Sequence, residues 1–239
     1  MSTLEWQQLI YAPLIGFGQL VKPRNQPTKE LLNWSFRFNN DQRFIYHKRM
    51  PMNLEYFAKE LAWYVKADKD DTSITEHAGI WKDMLNDDGT LISNYGYLLW
   101  GREDRPLRKV VERLRNDSNS RQAIVHVNRP EHADNKDFPC TMFLQFFIRG
   151  GELSTGVYMR SQDAVFGLRN DHPFFWFVAE VVASMLGIKP VQLNLTVGSF
   201  HVYERHWVKV REVVANPNEW QVPEIDWSEE LNDVCNKLA

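Results

Sequence analysis

Two apolar runs, residues 141–148 and 152–159, are separated by Arg149-Gly150-Gly151. Paired glycines reach the left-handed backbone conformations of tight turns at no steric cost, so this pattern predicts a β-hairpin. A further run, 174–186, is almost wholly apolar. A helix that is apolar all round has to be buried. Hairpin and helix are satisfied together when the helix packs on a sheet. At 44% hydrophobic and 13% aromatic over 239 residues, the chain has enough apolar material for such a core. The expectation is a single α+β domain over residues 1–239, a mixed sheet with helices packed on it.

The rest of the chain fits that frame. Trp6, Leu9 and Ile10 have helical spacing and predict a short opening helix. Residues 22–28, with Pro23 and Pro27, predict a loop, and 33–38 alternate like a strand. The spacing predicts a helix over 53–66, capped by Asn53, with Tyr56, Phe57, Leu61, Trp63, Tyr64 and Val65 on a broad apolar face. A charged loop is expected over 67–78, a turn at 86–89, a helix at 109–114 and a strand at 122–127. Residues 128–138 read as loop, 192–197 as a strand, 201–214 as a helix, and the tail ends in a short helix.

Several function classes are excluded. A formal charge of -3 offers no general attraction for a nucleic acid, although a local basic pocket for one phosphate stays open. Two cysteines are too few for a disulfide framework and suit a reducing, cytoplasmic setting. The first residues lack the basic stretch and apolar core of a signal peptide, and no 18-residue apolar run is present to span a membrane. The seven histidines show no HExxH spacing and the cysteines no CxxC, so no metal is expected; a glycine-rich phosphate loop is also absent.

The chemistry-bearing residues cluster late. Cys140 follows Pro139 and opens the first hairpin strand; Arg160-Ser161-Gln162-Asp163 closes the second; His201-Val202-Tyr203 comes later. A lone cysteine reads first as a small apolar core residue. Arg160 nearby would favour its thiolate. Glu60 reads from composition alone as a wet-face residue; facing inward, it would have a raised pKa suited to proton work. Arg24 reads as a solvated loop arginine, in a place where loops also present arginine to phosphate.

Together these residues resemble the thymidylate synthase family. The resemblance rests on Pro139-Cys140, Gln145 five residues on, Arg160-Ser161-Gln162-Asp163, Gly167, and His201-Val202-Tyr203. Upstream it takes in Glu60-Leu61-Ala62-Trp63-Tyr64, Ile80-Trp81, Tyr95-Gly96 and Asp117-Ser118-Asn119-Ser120-Arg121, covering most of 20–210. Thr141 stands where the family has histidine, Asp171 where it has asparagine, and Gln122 where it has a second arginine. The segment 159–171 with 198–203 looks most like the branch of phage deoxycytidylate (dCMP) hydroxymethylases.

The resemblance implies a homodimer through the sheet and two substrates, a pyrimidine nucleotide monophosphate and 5,10-methylenetetrahydrofolate. It implies a nucleophile in Cys140, proton transfer by Glu60 and base recognition by Asp171. Arg24, Arg160 and Ser161 would hold the phosphate with Arg121 of the second subunit, and His201 and Tyr203 the sugar. Trp81, Asp163 and Tyr95 would line the folate site, with ordinary core packing an equal reading for Trp81 and Tyr95. Cytosine offers an N3 acceptor and an N4 donor, which a carboxylic acid matches; uracil presents the reverse and suits an amide. Asn170 adjoins Asp171, so a shift of one residue would put an amide in that place. A dUMP or CMP hydroxymethylase, a methylating synthase and a nucleotide-binding relative without activity stand as alternatives.

Overall fold

The structure, a computed structural model, describes residues 3–44, 46–221, 223 and 225–239. The predicted hairpin is present: β5 (Thr141–Arg149) pairs antiparallel with β6 (Glu152–Asp163), and Gly150 and Gly151 turn it at φ 61° and 81°. β7 (Lys189–Tyr203) runs parallel to β6. Parallel neighbours need a crossover, supplied by the buried helix α5 (Gly167–Leu186). β2 (Thr28–Asn39) pairs antiparallel with β7, and the short strands β1 (Gln19–Val21) and β4 (Ile124–His126) close the two edges. The strand order β1-β2-β7-β6-β5-β4 is a mixed sheet, as expected.

Helix α1 (Thr3–Phe17) packs on β2 and β7, α4 (Pro106–Asn116) on β4 and β5, and α5 on β6 and β7. The core they cover is built from alternate strand positions, among them Phe36, Phe38, Leu144, Phe146, Val157 and Leu195, all buried. The intervening positions carry polar and aromatic pairs: Ser35 with Thr196 at 3.2 Å, Arg37 with Asn194 at 3.3 Å, and Phe143 stacked on Tyr158 at 4.2 Å. Helix α2 (Leu54–Lys66) begins as predicted, with Asn53 Oδ1 accepting from the Tyr56 N–H at 3.1 Å. α3 (Gly79–Met84), α6 (Trp207–Ala215) and α7 (Ser228–Leu238) complete the helices used below, and β3 (Tyr46–His47) pairs with β8 (Trp220–Gln221).

Several expected boundaries move. The helix expected over 201–214 begins only at a 3₁₀ turn, Glu204–His206, and becomes α6 at Trp207. His201 to Tyr203 instead end β7, because β2 and β6 both bond to that strand: His201 pairs with Glu30 on one side and Asp163 on the other. A strand with a ladder on each side overrides local helical preference. The strand expected over 192–197 thus runs from 189 to 203, and the one expected at 33–38 starts at Thr28. The strand at 122–127 shortens to Ile124–His126, while the helix at 109–114 lengthens to 106–116 with Pro106 in its first turn. The helix at 174–186 begins at Gly167, which places Asp171 on a helix. The loop at 67–78 contains a 3₁₀ turn, Ser73–Glu76. The side chains of Trp6 and Leu9, two of the three residues that predict the opening helix, lie outside the described set.

Two glycines set close approaches near the cysteine. A Cβ on Gly96 would stand 1.7 Å from the Tyr64 carbonyl oxygen, so the chain after Asn94 presses directly on α2. A Cβ on Gly198 would stand 2.8 Å from the Arg160 carbonyl oxygen, where β7 meets β6.

Candidate active site

Cys140 lies immediately before β5, partly buried, and its carbonyl accepts from the Arg160 N–H at 2.8 Å. Arg160 ties down the approach to the cysteine from β6: its guanidinium donates to the carbonyls of Pro139 (3.2 Å) and Phe138 (2.6 Å) and lies 4.8 Å over the Phe138 ring. Burial pushes the Cys140 thiol up; Arg160 and, more weakly, Arg24 pull it down, and Asp171 and Asp137 push it further up. Arg24 projects from a loop in the left-handed region (φ 50°, ψ 38°), followed by Asn25 at φ 62°.

Glu60 is not on a wet face. It is 7% exposed, on the side of α2 that carries Phe57, Leu61 and Tyr64. The width of the apolar stripe hid this: a single carboxylate inside it reads as an interruption. Burial pushes Glu60 up to about 8, with Asp171 adding and the donors Tyr56 and Trp81 opposing. The Tyr56 hydroxyl donates to Glu60 Oε1 at 2.6 Å, and the Trp81 indole N–H donates to the Tyr56 oxygen at 2.8 Å.

Asp171, one turn into α5, faces the same space. Burial pushes it up to about 7; the Gln162 amide opposes and Asp163 adds. Its charge acts on Glu60, Tyr56, Tyr64, Tyr95 and Cys140. Asn170 does not share this position, since its amide donates to the Phe166 carbonyl at 3.2 Å along its own helix. Gly167 separates Gln162 from Asp171: a Cβ there would meet Gln162 Nε2 at 3.4 Å and Asp171 Oδ2 at 3.5 Å.

Where β6 and β7 end, Ser161 stands opposite Ser199 and Asp163 opposite His201. His201 Nδ1 lies 3.5 Å from Ser161 Oγ and 3.3 Å from the Ser199 carbonyl, and the Tyr203 ring meets it edge-on at 5.1 Å. Asp163 accepts the N–H groups of Val165 and Phe166, fixing the turn into α5. Tyr95 is buried and stacked on Tyr64, and its oxygen accepts the Thr141 N–H at 3.3 Å, one residue past the cysteine. Trp81 is half-buried against Trp63.

Two predicted residues stand apart. Arg121 is exposed on the turn before β4, and no contact among the described residues joins it to the Cys140 cluster. Gln145 donates its amide to the Arg121 carbonyl at 2.9 Å. Three residues at the site were not anticipated. Gln162 is buried, within the Arg160–Asp163 motif. Arg169 is buried and donates to the carbonyls of Val165, Met50 and Pro51, joining the start of α5 to the segment before α2. Tyr56 reads from sequence as part of an apolar face; its place four residues before Glu60 on a helix is the available signal.

Among the described residues, no group of three or more His, Cys, Asp or Glu side chains is arranged to hold a metal ion, and no helix is long and apolar enough to cross a membrane. Ile80, beside Trp81, is 62% exposed, and Phe166, whose backbone N–H donates to Asp163, is 53% exposed.

Cys140 thus stands at the strand ends of a mixed sheet beside Arg160, with the raised carboxyl of Asp171 acting on both it and Glu60, and comparison gives the class of the chain. The family model for thymidylate synthase matches residues 17–237, and the chain belongs to that family of folate-dependent one-carbon transferases. Among individual relatives, it is 32% identical over 188 residues to the deoxycytidylate 5-hydroxymethyltransferase of Enterobacteria phage T4, a match covering 72% of this chain and 75% of the relative. The enzymes of the same name from phages T2 and T6 match to the same extent.

Proposed function

We propose that this chain transfers a hydroxymethyl group to C5 of deoxycytidylate. The observation that carries the reading is the Asp171 carboxyl, facing the space shared by Cys140 and Glu60, where an amide would read uracil. Near neutral pH a carboxyl titrating at about 7 is in good part a carboxylic acid. Its O–H donates to cytosine N3 and its carbonyl oxygen accepts from the N4 amino group. Ionised, the carboxyl can only accept, and uracil O4 would meet it acceptor against acceptor, at about 1–3 kcal/mol. The phage relatives, deoxycytidylate 5-hydroxymethyltransferases by name, support the same choice.

In this scheme Cys140 forms a bond to C6, and the displaced electron pair makes C5 nucleophilic. The folate, as 5,10-methylenetetrahydrofolate, supplies the one-carbon unit that C5 takes up. Glu60, through water, receives the proton from C5 and supplies one to the departing folate nitrogen. Water then adds to the exocyclic methylene carbon, the sulfur–C6 bond breaks, and the thiolate returns. The balance is deoxycytidylate, methylenetetrahydrofolate and water giving the 5-hydroxymethyl nucleotide and tetrahydrofolate.

Arg24, Arg160 and Ser161 hold the phosphate, Arg through its planar two-pronged donor set. His201 and Tyr203 hold the sugar, Trp81 and Asp163 face the pterin, and Tyr95 fixes the backbone beside Cys140. Arg121 completes the phosphate site from a second subunit, docked through the sheet face that α1, α4 and α5 leave uncovered. The setting is the cytoplasm, that of the host cell for a phage-encoded chain.

The deciding experiment incubates the protein with methylenetetrahydrofolate and dCMP, CMP or dUMP, and weighs each product. A 5-hydroxymethyl product from dCMP with no rise in dihydrofolate absorbance is expected. Product from dUMP alone, or formation of dihydrofolate, would reject the proposal.

A further inference from the structure

We propose that Tyr56 is a positioning residue for Glu60: anchored by the Trp81 indole, its hydroxyl decides which oxygen of the carboxyl carries the transferable proton. An indole N–H can only donate. With Trp81 Nε1 at 2.8 Å, the Tyr56 oxygen is therefore an acceptor on that side. Its own hydrogen is directed to Glu60 Oε1, at 2.6 Å. The chain of hydrogen bonds runs one way, from Trp81 through Tyr56 to Glu60. In the reverse arrangement Glu60 would donate to the phenol, and the phenol hydrogen would need another acceptor; among the described residues its only hydrogen bond outward is to Glu60. The phenol thus occupies Oε1 in both protonation states of the carboxyl. The acid proton resides on Oε2, the oxygen left for the cavity.

The same bond tunes the carboxyl. A separation of 2.6 Å lies in the range of O–H to carboxylate bonds, so the phenol favours the ionised form. The groups acting on Glu60 are Tyr56 on its own helix, Trp81 from α3 and Asp171 from α5; Tyr64, on the same helix, is itself acted on by Glu60. None is a cation. Tyr56 and Trp81 are thus the groups that restrain an otherwise strongly raised carboxyl. Burial and the neighbouring carboxyl hold the Tyr56 hydroxyl well above its ordinary range, so it remains a donor throughout.

The inference rests on Glu60 being the proton-transfer group of the proposed reaction, and its test does not depend on turnover alone. The Glu60 carboxyl is titrated by carbon-13 NMR of glutamate-labelled protein, in the unsubstituted chain and in Tyr56→Phe, with a Glu60→Gln sample assigning the signal. Tyr56→Phe should move the midpoint upward by about half a pH unit or more. The kcat for dCMP should fall roughly ten-fold or more while KM stays within about two-fold. Trp81→Phe, which frees the phenol to rotate, should move the midpoint in the same direction by less. An unmoved midpoint in both variants, or a drop expressed in KM alone, overturns the inference. If the unsubstituted protein leaves dCMP untouched while the midpoint still moves, the substrate reading fails and the role of Tyr56 stands.

Discussion

Asp171 and Glu60 stand on different helices, α5 and α2, yet face one space, where the charge of Asp171 adds to burial in keeping the Glu60 carboxyl neutral. Two carboxyls with raised pKa values in one cavity are costly when both ionise, and that cost is measurable as stability.

Glu60 goes from an ordinary 4.5 to about 8 on folding. A carboxyl whose folded pKa is raised stabilises the fold fully below its unfolded pKa, and the contribution disappears as pH rises through the folded value. Glu60→Gln keeps an acceptor for Tyr56 and removes the charge. It should leave stability nearly unchanged at pH 4 and raise it at pH 8 by roughly 4 kcal/mol. For a chain of this size that corresponds to about 8–16 °C in melting temperature. Equal effects at both pH values would mean that Glu60 is not held neutral by the fold.

Asp171→Asn replaces a donor–acceptor pair matched to cytosine with one matched to uracil. With about 1–3 kcal/mol at stake on each base, the ratio of kcat/KM for dUMP over dCMP should rise by about two orders of magnitude. The comparison needs only the two nucleotides and the two proteins. An unchanged ratio would remove Asp171 from base recognition.

Arg160 has a double task at Cys140, lowering the thiol and fastening the carbonyls of Phe138 and Pro139. Arg160→Gln should slow alkylation of Cys140 by iodoacetamide several-fold at pH 8 and shift its pH profile upward. Peptide-resolved mass spectrometry separates this from Cys235, whose thiol burial also raises. Alkylation at an unaltered rate would show that the guanidinium does not govern the thiolate.

Much of this site was readable because its motifs sit where strands end. The glycine pair fixed the hairpin, and with it the placement of Cys140 before one strand and Arg160 to Asp163 at the end of the other. His201 and Tyr203 were recognised as site residues but expected on a helix. Their strand state depends on β2 and β6 flanking β7, a long-range pairing that no local window contains. Glu60 was misplaced for a related reason: inside a broad apolar stripe, the side a lone carboxylate faces is settled by Trp81 and Asp171, 21 and 111 residues away in sequence. Among the described residues Arg169 donates to carbonyl groups, which the sequence does not distinguish.

Arg121 gives the last test, because its exposed position makes sense in the proposed reaction only if a second chain receives it. Each site of the proposed dimer would combine Cys140 of one subunit with the Arg121 of the other. Arg121→Ala and Cys140→Ala should then each be severely impaired alone, the first through a weakened phosphate site and the second through loss of the nucleophile. Mixed and re-equilibrated, the two variants form heterodimers in which one site has both intact residues and the other has neither. Random pairing makes half the dimers heterodimers, so about a quarter of all sites should recover. Recovery to about that level, measured as dCMP turnover against the unsubstituted protein, is the expected result. If Arg121 acted within its own chain, every site in the mixture would lack one of the two residues and mixing would restore nothing.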